Sequence, residues 1–147
     1  MATVENKAVI RAFVEDVINR GRLERADDLV AKDFVELDPL PGQQQGREGL
    51  KEIIGVIRTA FPDIHWVMEE MMAEGELVFS RFTWSGTHRG TFFGIPATGK
   101  RVTVAGMVLD RVVEGTMVES RILMNNMALM QQLGVIPSPV QAPNDFQ

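Results

Sequence analysis

Two adjacent amides, Asn125 and Asn126, stand in the run ESRILMNNMALMQQLG (119–134), where a strand-like pattern passes into a helical one. An asparagine side chain donates and accepts hydrogen bonds but has no titratable proton. It can orient a ligand oxygen, yet cannot itself act as general acid or base. Either amide could be a helix cap, its oxygen accepting a backbone N–H of the first turn. Asn126, directly before MALMQQL, suits the cap, which leaves Asn125 expected to point inward with a role in the chemistry.

Which side chains share its face follows from the last hairpin. A two-residue turn at Glu114-Gly115 would set Asp110 opposite Glu119, a like-charge pair that destabilises. A three-residue loop over Val113, Glu114 and Gly115 avoids it. Alternation then groups Thr103, Ala105, Met107, Leu109 and Arg111 with Glu119, Arg121, Leu123 and Asn125. Arg111 and Arg121 could stabilise a developing oxyanion in a low-dielectric pocket, or simply form a cross-strand ion pair with Glu119. His88, in SGTHRG, is either a solvated loop side chain or a proton carrier brought over the site. His65 alternates with Ile64 and Trp66 and should be exposed. Two distant histidines with no cysteine make no metal site, and no phosphate loop, nucleophile elbow or dinucleotide fingerprint is present. The sequence thus calls for no metal and no cofactor.

The elements that would hold these residues are legible from periodicity. Val9, Ile10, Phe13, Val14, Val17 and Ile18 predict a first helix, with Thr3 as its cap and Gly21 beyond its end. A short helix fits Leu23–Val30, a brief strand Asp33–Asp38, and a third helix Arg47–Ala60 with Leu50, Ile53, Ile54 and Ile57 as its buried stripe. Four β-rich runs follow, Ile64–Met72, Leu77–Gly86, Arg101–Val112 and Thr116–Met124, before a closing helix Met127–Leu133. Helices first and strands afterwards indicate α+β, with helices packed on one face of a curved antiparallel sheet.

The chain has 147 residues, 45% of them apolar, enough for one core. The expected domain is 1–137, with a loose Pro-rich tail at 138–147. A net charge of −5 with scattered Lys and Arg argues against nucleic-acid or anionic-membrane partners. Absent cysteine, thiol chemistry is ruled out. The start MATVENKAVIRAF lacks a continuous apolar segment, so a soluble cytoplasmic protein is expected.

Taken together, FPDIHWVMEEMMAEGELVFSRFTWSGTHRGTFFGIPATGKRV and MALMQQLGVIP resemble the SnoaL-like polyketide cyclase family of the nuclear transport factor two-like superfamily, over roughly Asn6 to Pro137. GTHRG, GIPATGK and QQLG carry the likeness in combination. The resemblance implies a cone-shaped α+β barrel with a deep apolar cavity, self-association across the outer sheet face, and ring closure by intramolecular aldol chemistry without a cofactor. It places the family's acid/base aspartate on Asn125, a family histidine on Leu37 and a family aromatic on Arg121. Leu37, Trp66, Phe82, Met107 and Leu123 are then expected to line the cavity with Asn125. Two functions follow: a cofactor-independent cyclase, isomerase or hydrolase for an apolar carbonyl-containing small molecule, or a binding protein of the same fold that holds such a ligand without turnover. A homodimer whose cavity is incidental is a third.

Overall fold

A computed structural model of the chain describes residues 2–137; the tail expected at 138–147 lies outside the described residues. Helix α1 (Ala2–Ala12) runs directly into a π-helical segment, Phe13–Asn19. That segment buries two adjacent doublets, Phe13-Val14 and Val17-Ile18, and its wide turn closes with the Arg20 N–H on the Glu15 carbonyl at 3.1 Å. Its last carbonyls, on Ile18 and Asn19, accept from the Arg58 guanidinium, which satisfies a helix end the chain leaves open.

A 3-10 turn (Leu23–Arg25) and helix α2 (Ala26–Leu29) lead into strand β1 (Val30–Glu36). Helix α3 (Gly46–Ala60) buries Leu50, Ile53 and Ile54 as its apolar spacing requires, and ends before Pro62. Strands β2 (His65–Glu74), β3 (Leu77–Thr87), β4 (Arg101–Val113) and β5 (Thr116–Met124) follow, then helix α4 (Asn126–Leu133). The sheet order is β1-β5-β4-β3-β2. Strand β1 runs parallel to β5 and every other pairing is antiparallel. The sheet is curved but open, with β1 and β2 at its two edges.

The β4–β5 hairpin avoids the Asp110–Glu119 clash by another device than the expected loop. Glu114 and Gly115 do form a two-residue turn, both at positive φ (49° and 82°), with Val113 opposite Thr116. A bulge then shifts the register, so that Arg111 faces Glu119 and Asp110 faces Ser120. The face assignment of these strands is also corrected. Val102, Val104, Val108, Asp110 and Val112 are buried under the helices, whereas Thr103, Ala105, Met107 and Leu109 are exposed. Burial favours the face with the more continuous apolar surface, and the valine-rich one wins.

One group of core residues joins the π-helical segment, α3 and β1 to Val78, Val112 and Met117; another gathers around Phe61, Phe82, Trp84 and Leu129. Gly106 has a specific packing reason: a Cβ there would run into the Phe82 ring across the β3–β4 pair. The room it leaves lets that ring stack on Trp66, centroids 4.0 Å apart.

Candidate functional site

Three neighbouring strands each contribute one polar residue to the covered face of the sheet. Glu36, the last residue of β1, lies opposite Ser120 of β5, and Ser120 lies opposite Asp110 of β4. The row is buried: Glu36 is 7% exposed, Ser120 5% and Asp110 3%. It forms part of the wall of a cavity of about 100 Å³ beneath α1, the π-helical segment and α3. Phe13, Ile18, Phe34, Ile53, Met68 and Ile122 supply much of the remaining lining.

Burial is the main influence on both carboxyls. It pushes Asp110 up to about 7, against the pull of a hydrogen bond with Ser120. It pushes Glu36 up to about 7 as well; the Asp38 backbone N–H, at 3.1 Å from Oε2, pulls down, while the charge of Asp110 pushes further up. Ser120 hydrogen-bonds with both acids, so the pair titrates as one linked unit. Near neutral pH such a unit holds an acid and a base side by side in apolar surroundings, which suits proton transfer to and from carbon.

Two further groups complete the site. Gln43 faces the cavity from the β1–α3 loop, its Oε1 accepting the Leu40 N–H at 3.0 Å. Trp66 lines it from β2, held by reciprocal bonds with Asn19: its N–H donates to Asn19 Oδ1 at 2.7 Å and its carbonyl accepts from Asn19 Nδ2 at 3.0 Å. Among the described residues, Trp66 Nε1 and Asp110 Oδ1 are both buried without a hydrogen-bond partner. One is a donor and the other an acceptor or, when protonated, a donor.

Of the residues singled out from sequence, Trp66 lines this cavity and Phe82, wholly buried, stacks beneath it. The others lie elsewhere. Asn125 does not face the cavity: it is exposed and caps α4, Oδ1 accepting the Ala128 N–H at 3.0 Å, while Asn126 is the first helical residue. Arg121, Met107 and Leu123 share its side of the sheet, in a shallow hollow with Phe79 and Leu109. Arg111 bridges Glu76 at 3.0 Å and Glu119 at 3.6 Å on the surface. Leu37, one residue beyond Glu36, is 39% exposed. Asn125, Arg121, Arg111, Met107 and Leu123 belong to one correctly grouped set whose face was wrongly taken as the inner one, whereas Leu37, placed by family resemblance, falls just past the buried end of β1.

His88 is neither solvated nor in the cavity. It is fully buried, stacked on Phe61 with centroids 5.3 Å apart. Its Nδ1 accepts the Thr98 N–H at 3.2 Å and lies 3.0 Å from Thr98 Oγ1, tying together the ends of the loop between β3 and β4. His65 is exposed, as its alternation implied. Among the described residues no cluster of His, Cys, Asp and Glu could hold a metal, and no helix is long and apolar enough to cross a membrane.

Sequence reasoning passed over Glu36, Ser120 and Asp110. The available signal was Asp110 in the alternating set Val102, Val104, Val108, Val112, a charge where the pattern demands an apolar side chain.

Helices covering one face of a curved five-stranded sheet, with a pair of linked acids in the apolar space between, define an α+β pocket protein. The model of the SnoaL-like polyketide cyclase family matches residues 8–133, and the chain belongs to that family. Among solved structures it is similar to AclR from Streptomyces galilaeus, described as a proposed hydroxylase, with 26% identity, TM-score 0.83, and 98% of this chain and 90% of that one covered. It is also similar to IdmH from Streptomyces antibioticus, a proposed polyketide cyclase, with 29% identity, TM-score 0.76, and 88% and 98% covered. TsrD from Streptomyces laurentii shares the fold, with 23% identity, TM-score 0.82, and 90% and 97% covered. A comparison with curated proteins finds no significant match.

Proposed function

We propose that this protein is a cofactor-independent cyclase-type enzyme that moves protons on an apolar, carbonyl-containing small molecule, with Asp110 and Glu36 as its acid/base pair. One observation carries the reading: two buried carboxyls, both raised to about 7, joined through Ser120 on the wall of an otherwise apolar cavity. Membership of the SnoaL-like family supports the reaction class.

In an aldol ring closure, Asp110 as carboxylate removes a proton from the carbon next to a carbonyl. The electron pair passes into that carbonyl as an enolate, whose oxygen is placed to accept from Trp66 Nε1–H. The enolate carbon then bonds to a second carbonyl of the same molecule. Glu36, in its protonated form, gives its proton to the new alkoxide, and Ser120 offers a path for returning the proton from Asp110 to Glu36. Atoms and charge balance, and no redox partner is involved. The apolar walls exclude water that would otherwise quench the enolate.

The reading includes a homodimer formed through the outer sheet face, and a cytoplasmic location. Met72, Met107 and Leu123 are 62%, 52% and 69% exposed there, an apolar surface of the kind that a second copy covers.

Hydrogen exchange tests the proton-transfer step without knowledge of the natural substrate. In D2O at pD 7, the wild type should accelerate α-deuteration of 2-tetralone, followed by NMR. Asp110→Asn should lose roughly 10²- to 10⁴-fold of that acceleration. Equal rates for the two proteins would end the proposal.

A further inference from the structure

Among the described residues of the cavity wall, Glu36 and Asp110 are the only titratable ones, and no arginine, lysine or histidine stands with them. The surfaces that α1, the π-helical segment, α3, β2 and β5 turn to the cavity carry no titratable group. Both arginines of α3 are engaged elsewhere: Arg58 with the Ile18 and Asn19 carbonyls, Arg47 with Asp27 and the Val30 carbonyl. The charges that act on Glu36 are those of Asp110 and Asp38, both negative. Among the described residues the ionised pair thus has no counter-ion. Asp110, 3% exposed in that wall, also keeps one oxygen, Oδ1, buried without a hydrogen-bond partner. A buried acceptor of that kind takes a donor, and an uncompensated pair of acids takes a positively charged one.

We propose that the cavity binds apolar amines as their ammonium ions, with the charged head between Asp110 and Glu36 and the hydrocarbon body against the apolar wall. The site uses the same two acids as the proposed reaction but needs no turnover, and amines are a ligand class beyond the carbonyl compounds of that reaction. An ammonium has three donors and no acceptor. Asp110 Oδ1, the Glu36 carboxylate and the Ser120 hydroxyl oxygen offer three acceptors on adjacent strands, which lie about 4.8 Å apart. Hydrogen bonds from a cation to a carboxylate are among the strongest that side chains make. Desolvation of the two acids is already part of the fold, so binding adds only the loss of the cation's own hydration. Below pH 7 burial holds the acids protonated, so an entering ammonium displaces a proton and the cavity stays neutral. A neutral alcohol of the same shape gains neither the charge pairing nor the proton exchange.

Cyclohexylmethylammonium and cyclohexylmethanol share a skeleton and differ in charge, and isothermal titration of both into the full chain tests the site. At pH 8 the ammonium should bind at least about tenfold more tightly than the alcohol. Its affinity should rise by about tenfold per pH unit up to about 7 and then level off, while that of the alcohol does not rise. Titrations at pH 6 in two buffers of different ionisation enthalpy should show close to one proton released per ammonium bound, and almost none at pH 8.5. Asp110→Asn with Glu36→Gln should bring the ammonium down to the affinity of the alcohol or below it, with the alcohol still bound. The wild-type pH profile and proton count decide the matter whether or not that variant folds. Equal affinity for the two ligands at pH 8, an ammonium affinity that is flat between pH 5.5 and 7, or no binding of the ammonium at millimolar concentration would overturn the proposal. Because binding is read without turnover, the two proposals can fail separately. A protein that binds the ammonium but exchanges no ketone protons refutes the catalysis alone. One that exchanges protons but binds amine and alcohol equally refutes the amine site alone.

Discussion

Replacing Asp110 by Asn keeps the size of the side chain and its bond to Ser120 but removes the ability to ionise. The carboxyl rises from an ordinary 3.8 to about 7 on folding. At about 1.4 kcal/mol for each pH unit, ionised Asp110 therefore costs the folded state about 4 kcal/mol. The sign follows from proton counting. Between pH 4 and 7 the folded chain holds a proton that the unfolded chain has released, so wild-type stability falls as pH rises through that window and levels off above about 7. Glu36 acts in the same direction, from 4.5 to about 7, and adds about 3 kcal/mol at most, since part of its shift is the repulsion from Asp110. Urea denaturation followed by tryptophan fluorescence, at intervals from pH 4.5 to 8.5, measures both proteins. The difference in unfolding free energy should move in favour of Asp110→Asn by about 3 kcal/mol across that range, about 1 kcal/mol of the full effect having developed by pH 4.5, and the loss of the repulsion on Glu36 adds in the same direction. A difference that stays constant with pH would mean that Asp110 is not held as a neutral buried acid, and the proposed acid/base pair would lose its basis.

Other perturbations probe the frame of the site. Asn125→Ala removes the α4 cap and should lower stability by about 1 kcal/mol by urea denaturation, with 2-tetralone exchange unchanged. Asn19→Ala breaks both side-chain bonds to the Trp66 backbone and should cost about 1–3 kcal/mol by urea denaturation while slowing 2-tetralone exchange by NMR. Leu123→Glu puts a charge in the outer apolar hollow and should convert a dimer to a monomer in sedimentation velocity at micromolar concentration, with the wild type running as the dimer.

Much of the architecture is written in local periodicity. The α3 stripe, the four long strands and the closing helix need only side-chain alternation and neighbours within a turn or a hairpin, so their positions follow from the chain itself. Even the shared face of Met107, Leu109 and Arg111 with Glu119, Arg121 and Leu123 is recoverable, because like charges at Asp110 and Glu119 disfavour their opposition, whereas the actual partners are set by a two-residue turn and a bulge that the pattern does not reveal. The family is legible too, through GTHRG, GIPATGK and QQLG, which are contiguous words.

Local pattern could not say which face of β4 and β5 the helices would cover. Both faces hold apolar residues, and the polar atoms of Arg111, Arg121 and Asn125 made the outer one look functional. That decision belongs to the competition for buried area between whole faces, and only the packed α1, π-helical segment and α3 settle it in favour of the valines. Glu36 was beyond reach for a second reason. It is 74 residues from Asp110 in the sequence, and only the parallel pairing of β1 with β5 sets it beside Ser120. Nor is an acid with a pKa near 7 a property of its residue type: it comes from the walls that tertiary packing puts around Asp110, which remove the water that would have kept it ionised.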